Sequence, residues 1–329
     1  MKAIKFFAIS AMAAAMITSC SSEDELSQSN YPSDNIVRVT AGVNNAKTRA
    51  DGAGTEMKKD FSLTIVNKNA PKYTYTDKVF SKTSGDWACS ETLLWQKSDA
   101  LVDIVAFAPA QTGKFNGVYA EGSIQPIAYS VASDQSSDQS TSSDNNDLLY
   151  YYAPGFNPGE SLDKGKLNIQ FNHAFCMIDI NVTLGTEFNK PSIPTTSPIV
   201  KVTLGGTKIA ANVDVTNAAS VVTASGEATA TDITTTNGSF TTAADPEKNA
   251  ISRFSCIAIP QTVAANTFKV SLMTAGKRYE WTSDKEITLQ SGYRYTLNLS
   301  MGNDVVLLKG GSITATKWTE VSGGSLETD

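Results

Sequence analysis

Histidine is almost absent: His173 is the only one in 329 residues. A His-rich metal site is therefore excluded. Any Ser-His-acid or Cys-His catalytic unit would have to be built on that one residue. The sequence also lacks a G-x-S-x-G elbow and a Gly-rich phosphate loop of the P-loop or dinucleotide-binding type. No apolar run reaches the roughly 20 residues that a membrane-spanning helix needs. Positive charge is in short supply, with 27 Lys and Arg against 33 Asp and Glu. Such a balance does not suit a nucleic-acid binder. No enzymatic chemistry, metal or cofactor is expected.

The N-terminus carries a compartment signal. Lys2 and Lys5 precede a short apolar run, "FFAISAMAAAMI" (Phe6 to Ile17), and "TSC" closes it with small residues before Cys20. That is the layout of a secretory signal peptide over residues 1–19. "ITSC" resembles a bacterial lipobox, whose Cys is acylated and becomes the first mature residue, so Cys20 is the expected lipid-attachment site. Two or more acyl chains give stable membrane anchorage. "SSEDELSQSNYPSDN" follows, acidic and Ser-rich with few apolar residues, and residues 20–35 read as a tether that cannot bury enough surface to fold. Its acidic start resembles the surface-export signal of Bacteroidetes lipoproteins. Loss of residues 1–19 removes two lysines and no acid, leaving 25 cations against 33 acids, a net charge of −8. That leaves no basic patch for anionic lipid.

Three cysteines remain, Cys89, Cys176 and Cys256. An odd number cannot form a complete disulfide framework, and none sits at zinc-finger spacing. Each lies in or beside an apolar strand-like segment, as a small buried hydrophobe would. One bridge among the three stays open.

Amphipathic helix patterns are scarce, while period-2 alternation recurs throughout. "IVRVTAGV" alternates Val37, Val39, Ala41 and Val43; "FSLTIV" alternates Phe61, Leu63 and Ile65; "LNIQF" alternates Leu167, Ile169 and Phe171. "VDIVAFAP" is nearly all apolar up to Pro109, as expected of a strand covered on both faces. "FKVSLM", a Gly276 turn and "RYEW" read as a hairpin, and "YRYTLNL" as a further strand. Asn116-Gly117 and Asn237-Gly238 are hairpin-turn signals. Many short strands in a secreted chain predict an all-β protein of β-sandwich domains. The boundary between them is expected where Pro and Gly cluster, in "PGFNPGESLDKGK" (Pro154 to Lys166). This divides the chain into residues 36–160 and 161–329.

Candidate chemistry is thin. The polar loop Ser130 to Asp147 holds four aspartates but lacks the Gly and terminal Glu of a calcium loop. Trp87, Trp95, Tyr150, Tyr151 and Tyr152 are either a sugar-binding platform or sheet packing. In "QFNHAFCMIDINV" (Gln170 to Val182), His173 and Cys176 are three apart and point to opposite faces of a regular strand. Apolar residues occupy odd positions up to Phe171 and even ones from Ala174. Either a bulge or bend lies near Asn172 and His173, or the strand passes between two cores. Both alternatives give His173 a structural rather than a catalytic reason.

These stretches, in their order, resemble the fimbrillin family of Bacteroidetes, the pilins of type V pili. The series runs from the lipobox and tether through the first strand and "KTRA", "DWACSETLLWQ", "VDIVAFAPA", "DLLYYYA" and the F-x-H-A stretch. "IAIPQT", "LQSGYRYTLNLS" and "SITATKW" complete it. The resemblance implies two tandem transthyretin-like β-sandwich domains and an outer-membrane lipoprotein precursor. It also implies removal of an N-terminal strand, residues 36–49, by cleavage after Arg49, with Ala50 as the new N-terminus. "AKTRADGAG" is polar and Gly-rich, as a cuttable loop should be, whereas Arg38 sits inside a strand and is less accessible. Loss of the Val37, Val39, Ala41 and Val43 face would leave a groove for another subunit's strand. The implied partners are other fimbrial subunits, the outer membrane through the lipid, and host or bacterial surface ligands, with no nucleic acid. A donor segment is sought in "DVVLLKGGSITATKW" (Asp304 to Trp318), because the tail beyond it is polar. Stalk and tip roles both stay open, as does a non-polymerising surface lipoprotein of the same fold that binds glycan or host ligand.

Overall fold

The structure is a computed structural model that describes residues 30–44, 55–57, 59–110, 119–120, 122–136, 146–226, 228–309 and 313–317. Cys20, Arg49, Ala50 and the Asn116-Gly117 pair lie outside the described residues. The first half contributes β1 (Val39–Val43), β2 (Thr55–Glu56), β3 (Phe61–Val66), β4 (Tyr75–Thr83), β5 (Asp86–Cys89), β6 (Val102–Ala108), β7 (Tyr119–Ala120), β8 (Ser123–Ile124), β9 (Ile127–Ser130), β10 (Leu149–Phe156) and β11 (Leu167–His173). The second contributes β12 (Cys176–Leu184), β13 (Ile199–Gly205), β14 (Ala210–Val213), β15 (Val222–Ala224), β16 (Ile233–Thr234), β17 (Thr236–Thr241), β18 (Ile251–Ala258) and β19 (Gln261–Val263). The last strands are β20 (Lys269–Thr274), β21 (Arg278–Thr282), β22 (Ile287–Leu289), β23 (Tyr293–Met301), β24 (Val306–Leu308) and β25 (Thr314–Lys317). The protein is all-β, as its alternation predicts.

Two cores organise these strands. The first lies inside the sheet ordered β2-β1-β11-β10-β6-β3-β4-β5. That sheet curls until β1 touches β5. Phe61 meets Phe171 edge-on at 5.5 Å and Trp87 at 4.9 Å between ring centroids, a favourable aromatic geometry. The second core is larger and is built on the sheet β17-β18-β12-β23-β24 and on the smaller sheets β16-β13-β20-β21 and β15-β14-β9.

β6 shows why its sequence is nearly all apolar. Ile104, Ala106 and Ala108 face the first core, while Val105 and Phe107 join the second. β10 behaves alike, with Tyr151 packed on the first core and Tyr150 and Tyr152 on the second.

The segment Pro154 to Lys166 is not where the cores change over. It carries the end of β10 and a one-turn helix, Pro158–Ser161, and returns as β11 in the same sheet. Pro and Gly here serve a hairpin connection. The changeover falls later, at a bend over Ala174 and Phe175 between β11 and β12. Leu167, Ile169 and Phe171 belong to the first core, whereas Ala174, Cys176, Ile178, Ile180 and Val182 belong to the second. The phase slip in the sequence is thus a bend at which the chain passes from one core to the other.

Asn237-Gly238 is a second departure from expectation. Instead of turning a hairpin it lies inside β17, where the register against β18 shifts between Asn237 and Phe240. A Cβ on Gly238 would stand 2.8 Å from the Arg253 carbonyl oxygen. The glycine permits a close backbone approach at a bulge.

Candidate strand-exchange site

β1 is held on every available side. It runs parallel to β11, with Val39 opposite Leu167 and Val43 opposite Phe171, and antiparallel to β2, with Gly42 opposite Glu56. Leu167 N–H donates to the Arg38 carbonyl and Asn44 N–H to the Phe171 carbonyl, both at 2.8 Å. Before the strand begins, Val37 N–H donates to Leu93 O at 2.9 Å and Trp95 N–H to Asn35 O at 2.8 Å. Residues 35–44 are therefore stitched to Leu93–Trp95 at one end and to β11 along the other.

The side chains follow the alternation. Val37, Val39 and Val43 are only 6%, 4% and 5% exposed. Ala41 is half-buried against the same core. Each buried valine contributes about 1.5–3 kcal/mol. Without residues 35–44, the β11 edge from Leu167 to Phe171 would stand unpaired beside an open apolar slot. β2 would lose its partner among the described residues.

Arg38, expected inside a strand, lies just before β1, and its side chain is not inaccessible. Its side chain is 44% exposed and grips Asp34 through Nη1 at 2.9 Å and Nη2 at 2.5 Å. That guanidinium holds the Asp34 carboxyl far below the usual carboxylate range. What is engaged at Arg38 is the backbone. The other described arginines do sit in strands: Arg253 in β18, Arg278 in β21 and Arg294 in β23.

At the C-terminal end, β23 carries two short strands along one edge. β24 pairs Val306 with Met301, and β25 pairs Thr314 with Thr296 and Lys317 with Tyr293. Val306 is buried and Ile313 packs on the second core, while all four residues of β25 are exposed.

The remaining candidates resolve into packing. His173 Nδ1 lies 3.0 Å from Asp147 Oδ1 and its side chain is buried. Asp147, the last aspartate of the polar loop, is thereby committed to the junction between the cores. Cys176 Sγ donates to the Ala258 carbonyl at 3.2 Å, away from His173. Burial drives the Cys176 and Cys256 thiols far above their ordinary pKa, the opposite of an activated nucleophile. Both are free thiols, as is Cys89. Trp95 is buried and stacks on Phe156 at 6.0 Å, and Trp87 packs on Phe61, so the two tryptophans serve the first core and not a platform. An open cleft of about 630 Å³ lies elsewhere, between β15 and the β19–β22 ribbon, and Tyr150, Gln261 and Thr288 help to line it.

The family model described as fimbrillin-like matches residues 48–318. The chain belongs to the fimbrillin-like family. Its members are fimbrial and cell-adhesion proteins. The matched region of this fimbrillin-like chain opens one residue before Arg49 and leaves β1 outside. A candidate cell adhesion protein of Bacteroides ovatus is 17% identical, with a TM-score of 0.61 over 87% of this chain and 98% of its own. Another from Bacteroides uniformis is 16% identical, with a TM-score of 0.56 over 87% and 100%. A fimbrial protein of Bacteroides vulgatus is 15% identical, with a TM-score of 0.52 over 86% and 99%. At these identities the likeness is one of fold. No curated protein matches the chain.

Parts of the site carry no local signal. Leu93–Trp95, β2 and the parallel pairing of β1 with β11 were missed from sequence. That pairing spans 128 positions (Val39 to Leu167). The Asp34–Arg38 spacing of four was visible, but nothing in it announced a clamp.

Proposed function

We propose that this fimbrillin-like chain is a structural and adhesive subunit of a type V fimbria, with two tandem β-sandwich domains. It is exported as an outer-membrane lipoprotein through Cys20, cut after Arg49, and assembled by donor-strand exchange. The observation that carries the reading is the seat of residues 35–44. They fill an apolar slot in the first core and pair along both flanks, yet they join the following chain only through the stretch that contains Arg49. Cleavage there would free the strand from its covalent link and the subunit from its anchor. Another subunit's strand could then take the slot by β-strand addition. Head-to-tail donation of this kind does not close and so builds a filament.

The decisive measurement is the N-terminus of the surface-exposed protein. Ala50 supports processing, and acylated Cys20 as the sole terminus contradicts it. Purified precursor treated with an Arg-specific protease should then form heat-resistant ladders on unboiled SDS-PAGE, alone or with other fimbrial subunits. Stable monomers under all these conditions would favour the non-polymerising surface lipoprotein, with the cleft beside Tyr150 as the place to seek its ligand.

A further inference from the structure

The slot under β1 and the C-terminal segment of the same chain do not match. The slot takes apolar side chains at four successive alternate positions, those of Val37, Val39, Ala41 and Val43. Between Gly302 and Trp318 no register places apolar side chains at more than two successive alternate positions. Val306 and Leu308 are followed by Gly310 and Ser312; Val305 and Leu307 by Lys309; Ile313 and Ala315 by Lys317. The segment is also already in use. β24 and β25 complete one edge of β23, Val306 is buried, and Ile313 packs on the second core. Withdrawing it would expose the β23 backbone from Tyr293 to Met301 and uncover that core.

We infer that β24 and β25 are fixed strands of the second core, so that Asp304–Trp318 is not a donor, and that the β1 slot is filled by a chemically different subunit. That partner offers an extended strand with β-branched or small apolar residues at four alternate positions. It runs along β11, whose Leu167 and Phe171 backbone groups now bind Arg38 and Asn44. The inference rests on the strand-exchange reading above and narrows it: the chain accepts a strand but does not supply one from this segment to its own kind.

Full-length chain is cut after Arg49, and release of the N-terminal piece is followed by mass spectrometry in the presence of competing peptides. Three peptides are compared: Asn35–Asn44, Asp304–Trp318, and Asp304–Trp318 with valine at four alternate positions. The first and third should enter the slot, and the second should bind at least about 100-fold more weakly, as the loss of two buried apolar side chains requires. The cut chain alone should give no ladders. Thr296→Cys with Thr314→Cys, oxidised to lock β25 on β23, should leave peptide capture unchanged. Comparable binding of unmodified Asp304–Trp318, or self-ladders that vanish in the locked variant, would overturn the inference while keeping strand exchange. If no peptide enters after a verified cut, strand exchange itself fails and this inference with it.

Discussion

The Arg38 carbonyl accepts a hydrogen bond from the Leu167 N–H at 2.8 Å. A protease must bind its substrate as an extended, unpaired backbone, and this bond denies it that backbone at Arg38. Arg253, Arg278 and Arg294 are denied in the same way by their strands. Limited digestion of the folded chain with an Arg-specific protease should therefore give a single early cut, after Arg49. Arg49→Lys should abolish it, and Arg38→Lys should leave it unchanged. Early cleavage at Arg38, read by mass spectrometry, would contradict this.

Trp95 reports on the strand. Its backbone N–H donates to the Asn35 carbonyl, its ring stacks on Phe156, and it is 2% exposed. Departure of residues 35–44 should wet the indole and shift tryptophan emission to the red. Rebinding of the Asn35–Asn44 peptide should reverse the shift. In Trp95→Phe most of the change should be absent; a full shift in that variant would place the wetted tryptophan elsewhere.

Phe171 is fully buried where β11 meets β1, and its ring touches Phe61. Phe171→Ala should cost about 3–5 kcal/mol through lost transfer energy and the cavity left behind. Thr40→Ala, on the exposed face of β1, should stay within about 0.5 kcal/mol. Chemical denaturation of the two variants separates a core role from a surface one.

Asp103 gives the fold an acid-sensitive contact. Burial alone would raise its pKa, but Lys68 Nζ at 2.8 Å and the Gly155 N–H at 2.8 Å outweigh that and hold it below the ordinary carboxylate value. A carboxyl lowered on folding stabilises above its unfolded pKa, and the contribution is lost as pH falls through the folded value. Lys68 is largely exposed, so solvent screens the pair. Asp103→Asn should cost up to about 1 kcal/mol at neutral pH and nearly nothing once pH lies below the folded pKa. An equal loss at both pH values would assign the residue a purely steric role.

Gly206 has a φ of +87°, and a Cβ there would stand 2.0 Å from the Thr267 carbonyl oxygen. Gly206→Ala should destabilise by several kcal/mol, on the order of the largest single-residue effects, since both the backbone and the neighbouring chain must shift. Gly276, with open space around it, should accept alanine within about 0.5 kcal/mol. Thermal unfolding of the pair reads the difference directly.

Alternation is a local property, and the sequence by itself determined what alternation controls. It identified the all-β class, the face of β1 that carries Val37, Val39, Ala41 and Val43, and the two-sided burial of β6. It also showed a discontinuity at His173, because a change of buried face must appear as a change of phase. Tertiary structure alone decided what the discontinuity was, since a bend and a change of core give the same string of residues. It moved the changeover from the Pro- and Gly-rich stretch to Ala174, because such residues mark a turn within one sheet as readily as a boundary between cores. It buried Trp95 and packed Trp87 against the first core, turned Asn237-Gly238 from a hairpin into a bulge, and set β1 beside β11. Pairing of strands so distant in sequence depends on which edges are left free once the chain has collapsed, and no local pattern records that.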